Sequence, residues 1–336
     1  MSDIQSRAVG ALLLTAVGDA LGVPYEFGRR LGATDIPEMI GGGLGDYAPG
    51  EWSDDTSMAV AIAEVAATGA DLASAEGLDA VARGFLRWVS DFPGSRPPDI
   101  GNQTYAVLDA ARRRLQQEPD AAPGAVLREI SNAYAAAHPR SAGNGALMRT
   151  APVALAHLDD REHLADAARA VAALTHADEL AGDSCVLWCE AIRIAIHEAR
   201  FDIRGGLDLL PTDRRGRWAE WLTAAETDSP LEFAPNGFTV SALQAAASAV
   251  LQTPVVEDEP ERHHLEALYT AIRIGNDTDT VAAIAGGLLG ARWGADVVSA
   301  AHREAVHGWP CTNGAPTTAA VLQDLGRQAV ARTIPS

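Results

Sequence analysis

Two short segments near opposite ends of the chain constrain its fold more than any other feature: Trp52-Ser53-Asp54-Asp55-Thr56 and Ile274-Gly275-Asn276-Asp277-Thr278-Asp279-Thr280. Each sets two carboxylates and one or two hydroxyls directly before an Ala- and Val-rich run that reads as a helix. Ser53, Asp54 and Asp55 alone are ordinary helix-start chemistry, since serine is a favoured N-cap and acidic residues suit the positive end of the helix dipole. Repetition of the pattern at Asp277 and Asp279, with Thr56 and Thr280 alongside, argues for more. Ser53, Asp54, Asp55, Asp277, Asp279 and Thr280 make an all-oxygen donor set suited to hard dications such as Mg²⁺ or Mn²⁺. The set works only if the two ends meet, so the intervening helices must wrap into one body. A single domain over residues 1–336 is expected.

The composition supports a helical body. Hydrophobic residues make up 47% of the chain and aromatic residues only 5%, so the apolar material is mostly Ala, Leu, Val and Ile, which suits helix packing. All 26 basic residues are arginine. The absence of lysine excludes a Walker-type phosphate loop and a lysine Schiff base. A net charge of -19 argues against a general nucleic-acid surface. Three cysteines are too few for a disulfide framework, and Cys185 and Cys189 are spaced to share a packed helix face. The first apolar run is interrupted by Asp19 and by glycines short of membrane-spanning length, and no basic leader precedes it. A cytoplasmic protein without membrane association is expected.

Periodicity and caps predict helices over about 8–21, 53–68, 74–89, 102–114, 125–138, 164–174, 180–197, 217–225, 239–250, 262–272, 277–291 and 317–331, with a further entry near Met148. An acidic linker is expected at 257–261. The stretch Gly41 to Gly50 reads as a flexible loop, either a cover over a ligand or a surface connection. Gly143-Asn144-Gly145 precedes a helical run, an arrangement in which backbone amides can face an anion. Asp54 and Asp55 are adjacent and point about 100° apart on a helix of 3.6 residues per turn. Four carboxylates so arranged favour two neighbouring ions over one crowded ion.

Taken in order, Val17-Gly18-Asp19-Ala20-Leu21-Gly22 with Glu26, Trp52 to Thr56, Asp99-Ile100-Gly101, Gly143-Asn144-Gly145-Ala146, Thr175-His176 and Gly275 to Thr280 resemble the ADP-ribosylglycohydrolase family. That family includes dinitrogenase-reductase-activating glycohydrolases and ADP-ribosylarginine and ADP-ribosylserine hydrolases. The motifs span about residues 8–291. Ser53 stands where many members carry threonine, and Asn276 where many carry glycine. The resemblance implies an all-α, compact, orthogonal helical bundle holding two Mg²⁺ or Mn²⁺ ions, with Ser53, Asp54, Asp55, Asp277, Asp279 and Thr280 at its metal positions. It places Asp99 beside the substrate ribose or leaving group, Glu26 on the substrate-entry side, and Gly143, Asn144 and Gly145 near the diphosphate. His176 is either a support for the adenine or diphosphate side or a hydrogen-bonded structural residue. The implied reaction is hydrolysis at ribose C1″ of an α-linked ADP-ribosyl adduct. Asp54 or Asp55 would lie near the water and Asp99 near the leaving group. Protein arginine is the first acceptor expected, nucleic-acid-linked ADP-ribose stays open, and a monomer is expected. The alternatives are a hydrolase of small ADP-ribosyl compounds such as O-acetyl-ADP-ribose and a non-enzymatic ADP-ribose-binding regulator.

Overall fold

The structure is a computed structural model that describes residues 3–255 and 259–331. Helices follow one another as α1 (Asp3–Gly22), α2 (Asp54–Ala67), α3 (Ala75–Asp91), α4 (Asn102–Gln117), α5 (Pro123–Ala137), α6 (Ala151–Ala156) and α7 (Arg161–Ala172). They continue as α8 (Glu179–Glu198), α9 (Thr212–Thr227), α10 (Thr239–Gln252), α11 (Pro260–Arg273), α12 (Thr278–Trp293) and α13 (Ala300–Ala305). An antiparallel hairpin, β1 (His307–Thr312) and β2 (Ala315–Thr318), leads into α14 (Ala319–Ala331). The fold is mostly helical and single-domain, as the composition suggests, with this two-stranded sheet as a minor addition.

The core is built on α1 and α12, which form the most extensive helix pair. Both are apolar on every side and buried over most of their length, the pattern of helices at the centre of a fold. Their backbones touch because glycines face each other along the seam. A Cβ on Gly286 would sit 2.0 Å from the Leu14 carbonyl oxygen, and one on Gly18 would sit 2.2 Å from that of Ala282. The seam joins residues near the two ends of the sequence and sets their register. At its end the Thr278 hydroxyl donates to the Gly22 carbonyl at 2.8 Å, so the start of α12 lies against the end of α1. Helices α2, α8, α10, α11 and α14 pack around this pair.

Three expectations need correction. Asp19 and the glycines do not interrupt the first apolar run. Residues Asp3–Tyr25 form a continuous helical stretch long and apolar enough by composition to cross a membrane, and most of it is buried inside the fold. Asp19 is accommodated because its carboxylate has partners within the fold. The last helix starts at Ala319, because residues 307–318 form the hairpin. Its two-residue turn is Asn313-Gly314, both with positive φ, the standard chemistry of a tight hairpin turn. The acidic linker shortens: Pro260 already begins α11, while residues 257 and 258 lie outside the described residues. The hairpin anchors the upstream acidic segment. Trp52 donates its backbone N–H to the His307 carbonyl at 3.0 Å and its indole N–H to the Trp309 carbonyl at 3.2 Å. Trp52 is thereby buried behind the carboxylates.

Candidate active site

The first turn of α2 and the first turn of α12 meet at the end of the glycine seam. Ser53 is the N-cap of α2, as its sequence context predicts, but its hydroxyl accepts from the Asp55 N–H at a long 3.4 Å. The stronger cap comes from α1. One Asp19 oxygen accepts the Ser53 N–H at 2.9 Å, and the other accepts both the Thr56 N–H at 2.9 Å and the Thr56 hydroxyl at 2.6 Å. Asp19 thus fixes the acidic turn from a different helix. Thr280 donates its hydroxyl to Asp55 at 3.0 Å, which ties α12 to α2. Carboxylate oxygens of Asp19, Asp55 and Asp279 lie within 4.8 Å of one another.

Asp277 occupies the N-cap position of α12 without making a side-chain cap. Its carboxylate accepts instead from the Asn144 side chain at 2.7 Å, and its backbone N–H donates to the Asn236 side chain at 3.0 Å. Asn236 also donates to the Gly275 carbonyl at 3.0 Å and receives the second Asn144 amide proton on its own carbonyl at 3.2 Å. Both side-chain protons of Asn144 are therefore committed inside the protein. That gives the Asn144 side chain a positioning task, in a residue that also lines the cleft described next. Asn276 has a φ of 63°, a conformation open to glycine and, among other residues, best tolerated by asparagine. The glycine-to-asparagine departure at this position is compatible with the turn. The sequence reading includes Asp19 in a motif without giving it a role, and it misses Asn236. A lone acid inside an apolar helix is the signal for Asp19; Asn236, in a proline-containing loop, has none.

Above these carboxylates lies a cleft of about 430 Å³. Asp54, Asp277, Asp279 and Thr280 line it together with Glu26 and Asp99. Carboxylate oxygens of Glu26, Asp99 and Asp279 also fall within 4.8 Å of one another. Gly143 and Gly145 line the cleft beside His176; a Cβ on Gly145 would come 2.9 Å from the imidazole Cε1. Buried Arg149 donates to the Thr175 hydroxyl at 2.6 Å, and that hydroxyl lies 2.8 Å from His176 Nδ1. Burial, followed by the Arg149 charge, pushes the imidazole down to about 3, so it is neutral. The Gly41 to Gly50 loop reaches the site. A reciprocal pair of backbone hydrogen bonds joins Gly42 and Tyr47, and Leu44 lines the cleft. The Tyr47 phenol is pushed far up by burial and then by Asp54, Asp99, Asp19 and Asp279, a sign of how near it lies to the acids.

The electrostatics are those of a site that needs positive charge. Burial raises Asp54, Asp55, Asp277 and Asp279, and mutual repulsion raises Asp54, Asp55 and Asp279 further. Glu26 is pushed up to about 10, by burial first and then by Asp99, Asp277 and Asp54; burial raises Asp99 to about 6. Buried oxygens of Glu26, Asp99 and Asp279 have no hydrogen-bond partner. Buried carboxylates crowded together without partners are costly, and cations would relieve that cost. The donor set, all carboxylate and hydroxyl oxygen, fits a hard dication.

A family model described as ADP-ribosylglycohydrolase matches residues 1–333. The chain belongs to the ADP-ribosylglycohydrolase family. It is 30% identical over 295 residues to the ADP-ribosylarginine hydrolase Tri1 of Pseudomonas putida (strain GB-1), covering 86% of this chain and 71% of that protein. It is 29% identical over 302 residues to the ADP-ribosyl-[dinitrogen reductase] glycohydrolase of Rhodospirillum rubrum, covering 87% of each. A solved structure titled ADP-ribosylglycohydrolase-related protein complex superposes with a TM-score of 0.71 at 26% identity, over 99% of this chain and 100% of that one. Membership links the chain to hydrolysis of ADP-ribosyl linkages, and to an ADP-ribosylated compound as its substrate.

Proposed function

We propose that the chain hydrolyses the bond between ADP-ribose and an arginine side chain, using two Mg²⁺ or Mn²⁺ ions held by Ser53, Asp54, Asp55, Asp277, Asp279 and Thr280. The observation that carries this reading is the meeting of the two acidic turns at a cleft also lined by Glu26, Asp99 and the Gly143 to Gly145 segment. The arginine linkage is supported by relatives whose names specify it, in Pseudomonas putida and in Serratia proteamaculans (strain 568). When bound, the ions supply charge for ribose oxygens and lower the pKa of a coordinated water.

The protein's own groups divide the remaining work. Asp99, raised to about 6, has a proton affinity near neutrality and is suited to proton transfer at the leaving group. Glu26, raised further, holds a proton facing Asp99. Asp54, which lines the cleft, would orient an attacking water with the buried Asp55 behind it, and the carboxylate field favours positive charge developing at the anomeric carbon. Beside Asp277, Gly143 and Gly145 allow a diphosphate to approach the backbone. Arg149 donates to the Thr175 oxygen, which is paired in turn with His176 Nδ1, so the neutral imidazole is held with Nε2 toward Gly143 at the cleft.

The test is release of ADP-ribose, resolved by mass spectrometry, from arginine-, serine- and nucleic-acid-linked substrates and from O-acetyl-ADP-ribose. Turnover of the arginine adduct above the others supports the proposal. Preference for the acetyl compound assigns a small-molecule hydrolase, and saturable ADP-ribose binding without turnover of any substrate assigns a regulator.

A further inference from the structure

Beyond the far end of α2 lies a second group of ligand-type side chains. Asp71 follows α2, His157 ends α6, and His163 lies in the first turn of α7. One nitrogen from each imidazole and one Asp71 oxygen lie within 4.8 Å of one another. His163 Nε2 is 2.8 Å from Asp71 Oδ1, and His157 Nε2 is 3.9 Å from the same atom. The two rings meet edge to face with centroids 4.8 Å apart. His157 is 6% exposed and its Nε2 has no hydrogen-bond partner, although the residue lines a cavity of about 350 Å³ that Asp159 and Asp160 also line. A buried ring nitrogen beside two potential ligands, with no partner of its own, is the observation that calls for an occupant.

We propose that Asp71, His157 and His163 bind a borderline transition-metal dication, Zn²⁺ first, at a site separate from the carboxylate centre. Two imidazoles and one carboxylate are the donors such ions select, in contrast to the oxygen set of the cleft. The His157 ring is held below its ordinary value by burial and then by His163, so it is neutral and able to ligate. Asp71 is already oriented, since Oδ1 accepts the Ala73 N–H at 2.9 Å. The side chains of Asp71 and His163 are 46% and 40% exposed, which leaves the site open to an ion from solvent. A metal bond at His163 Nε2 takes the place of its hydrogen bond to Asp71 and leaves the single proton of the neutral ring on Nδ1. The fourteen residues of α2 separate Asp54 from the site by about 20 Å at 1.5 Å per residue, so the two centres are independent. An ion here would clamp the α2 end to α6 and α7.

Metal-stripped full-length protein titrated with ZnCl₂ by calorimetry tests the site. An Asp55→Asn/Asp279→Asn background weakens the carboxylate centre and isolates the second one. The expected result is one equivalent of Zn²⁺ bound in that background, with affinity reduced by more than about 100-fold on His163→Ala. Asp71→Asn should weaken binding as well. CoCl₂ in place of ZnCl₂ should give visible bands of a low-coordinate ion, lost in the same variants. His163 is partly exposed, so its replacement leaves the fold intact, as circular dichroism will verify. Absence of Zn²⁺ binding in the background protein, or binding indifferent to both His163→Ala and Asp71→Asn, overturns the proposal.

Discussion

Asp19 lies on one helix and caps another. Its carboxylate receives two backbone N–H groups and one hydroxyl from the first turn of α2, and it stands within ligand distance of Asp55 and Asp279. Positioning and charge are therefore joined in one side chain. Asp19→Ala should lower stability in saturating Mg²⁺ by about 2 kcal/mol, the loss of a good cap, measured by denaturant unfolding. It should also weaken Mg²⁺ binding; unchanged affinity by calorimetry would remove Asp19 from the positioning role. Asp19 is visible in the sequence as a charge inside an apolar run, but its partners are not, because they lie on a separate helix. The acidic and hydroxyl residues at 53–56 and 277–280 are legible for the opposite reason: short spacings at two helix starts carry their own pattern. Asn236 shows the limit, since it acts on Gly275 and Asp277 from a loop with no distinguishing composition.

At the scale of elements, the α1–α12 seam brings the two ends of the site together. No side chain fits between these backbones: a Cβ on Gly286 meets the Leu14 carbonyl at 2.0 Å. Gly286→Ala should cost about 3 kcal/mol or more through overpacking, and it should lower metal affinity because α12 shifts against α1. Gly216→Ala is the contrast. It lies in α9 with nothing within 4 Å of the added methyl, and should stabilise by about 0.5–1 kcal/mol through helix propensity. Equal effects from the two substitutions would contradict the close-approach account. Most helices were legible because caps and periodicity are local, as at Ser74 and Asp178, whose side chains cap α3 and α8. The hairpin was missed although Asn313-Gly314 marks its turn, because the apolar pattern that follows invited an earlier helix start. Its value to the site, holding Trp52 behind the acidic turn, arises only from tertiary contact.

For the whole molecule, a buried acid cluster makes stability depend on pH and on dications together. Asp99 and Glu26 have folded values of about 6 and about 10, above their ordinary 3.8 and 4.5. Groups raised on folding contribute stability that is fully present below the ordinary values and is lost as pH rises through the folded ones. Metal-stripped protein should therefore lose thermal stability between pH 5 and pH 8. Saturating Mg²⁺ or Mn²⁺ should raise Tm by about 5 °C at the upper end and much less at the lower. A metal-induced gain that is constant across this range, followed by scanning calorimetry, would remove the acid cluster from the binding site. The most direct measurement is release of ADP-ribose from an ADP-ribosylarginine substrate by wild type and Asp279→Asn, each with Mg²⁺, with Mn²⁺ and after chelation. Metal-dependent release by the wild type, reduced by about 100-fold or more in the variant, is the predicted result. Release that survives chelation, or an Asp279→Asn protein as active as the wild type, would contradict the account.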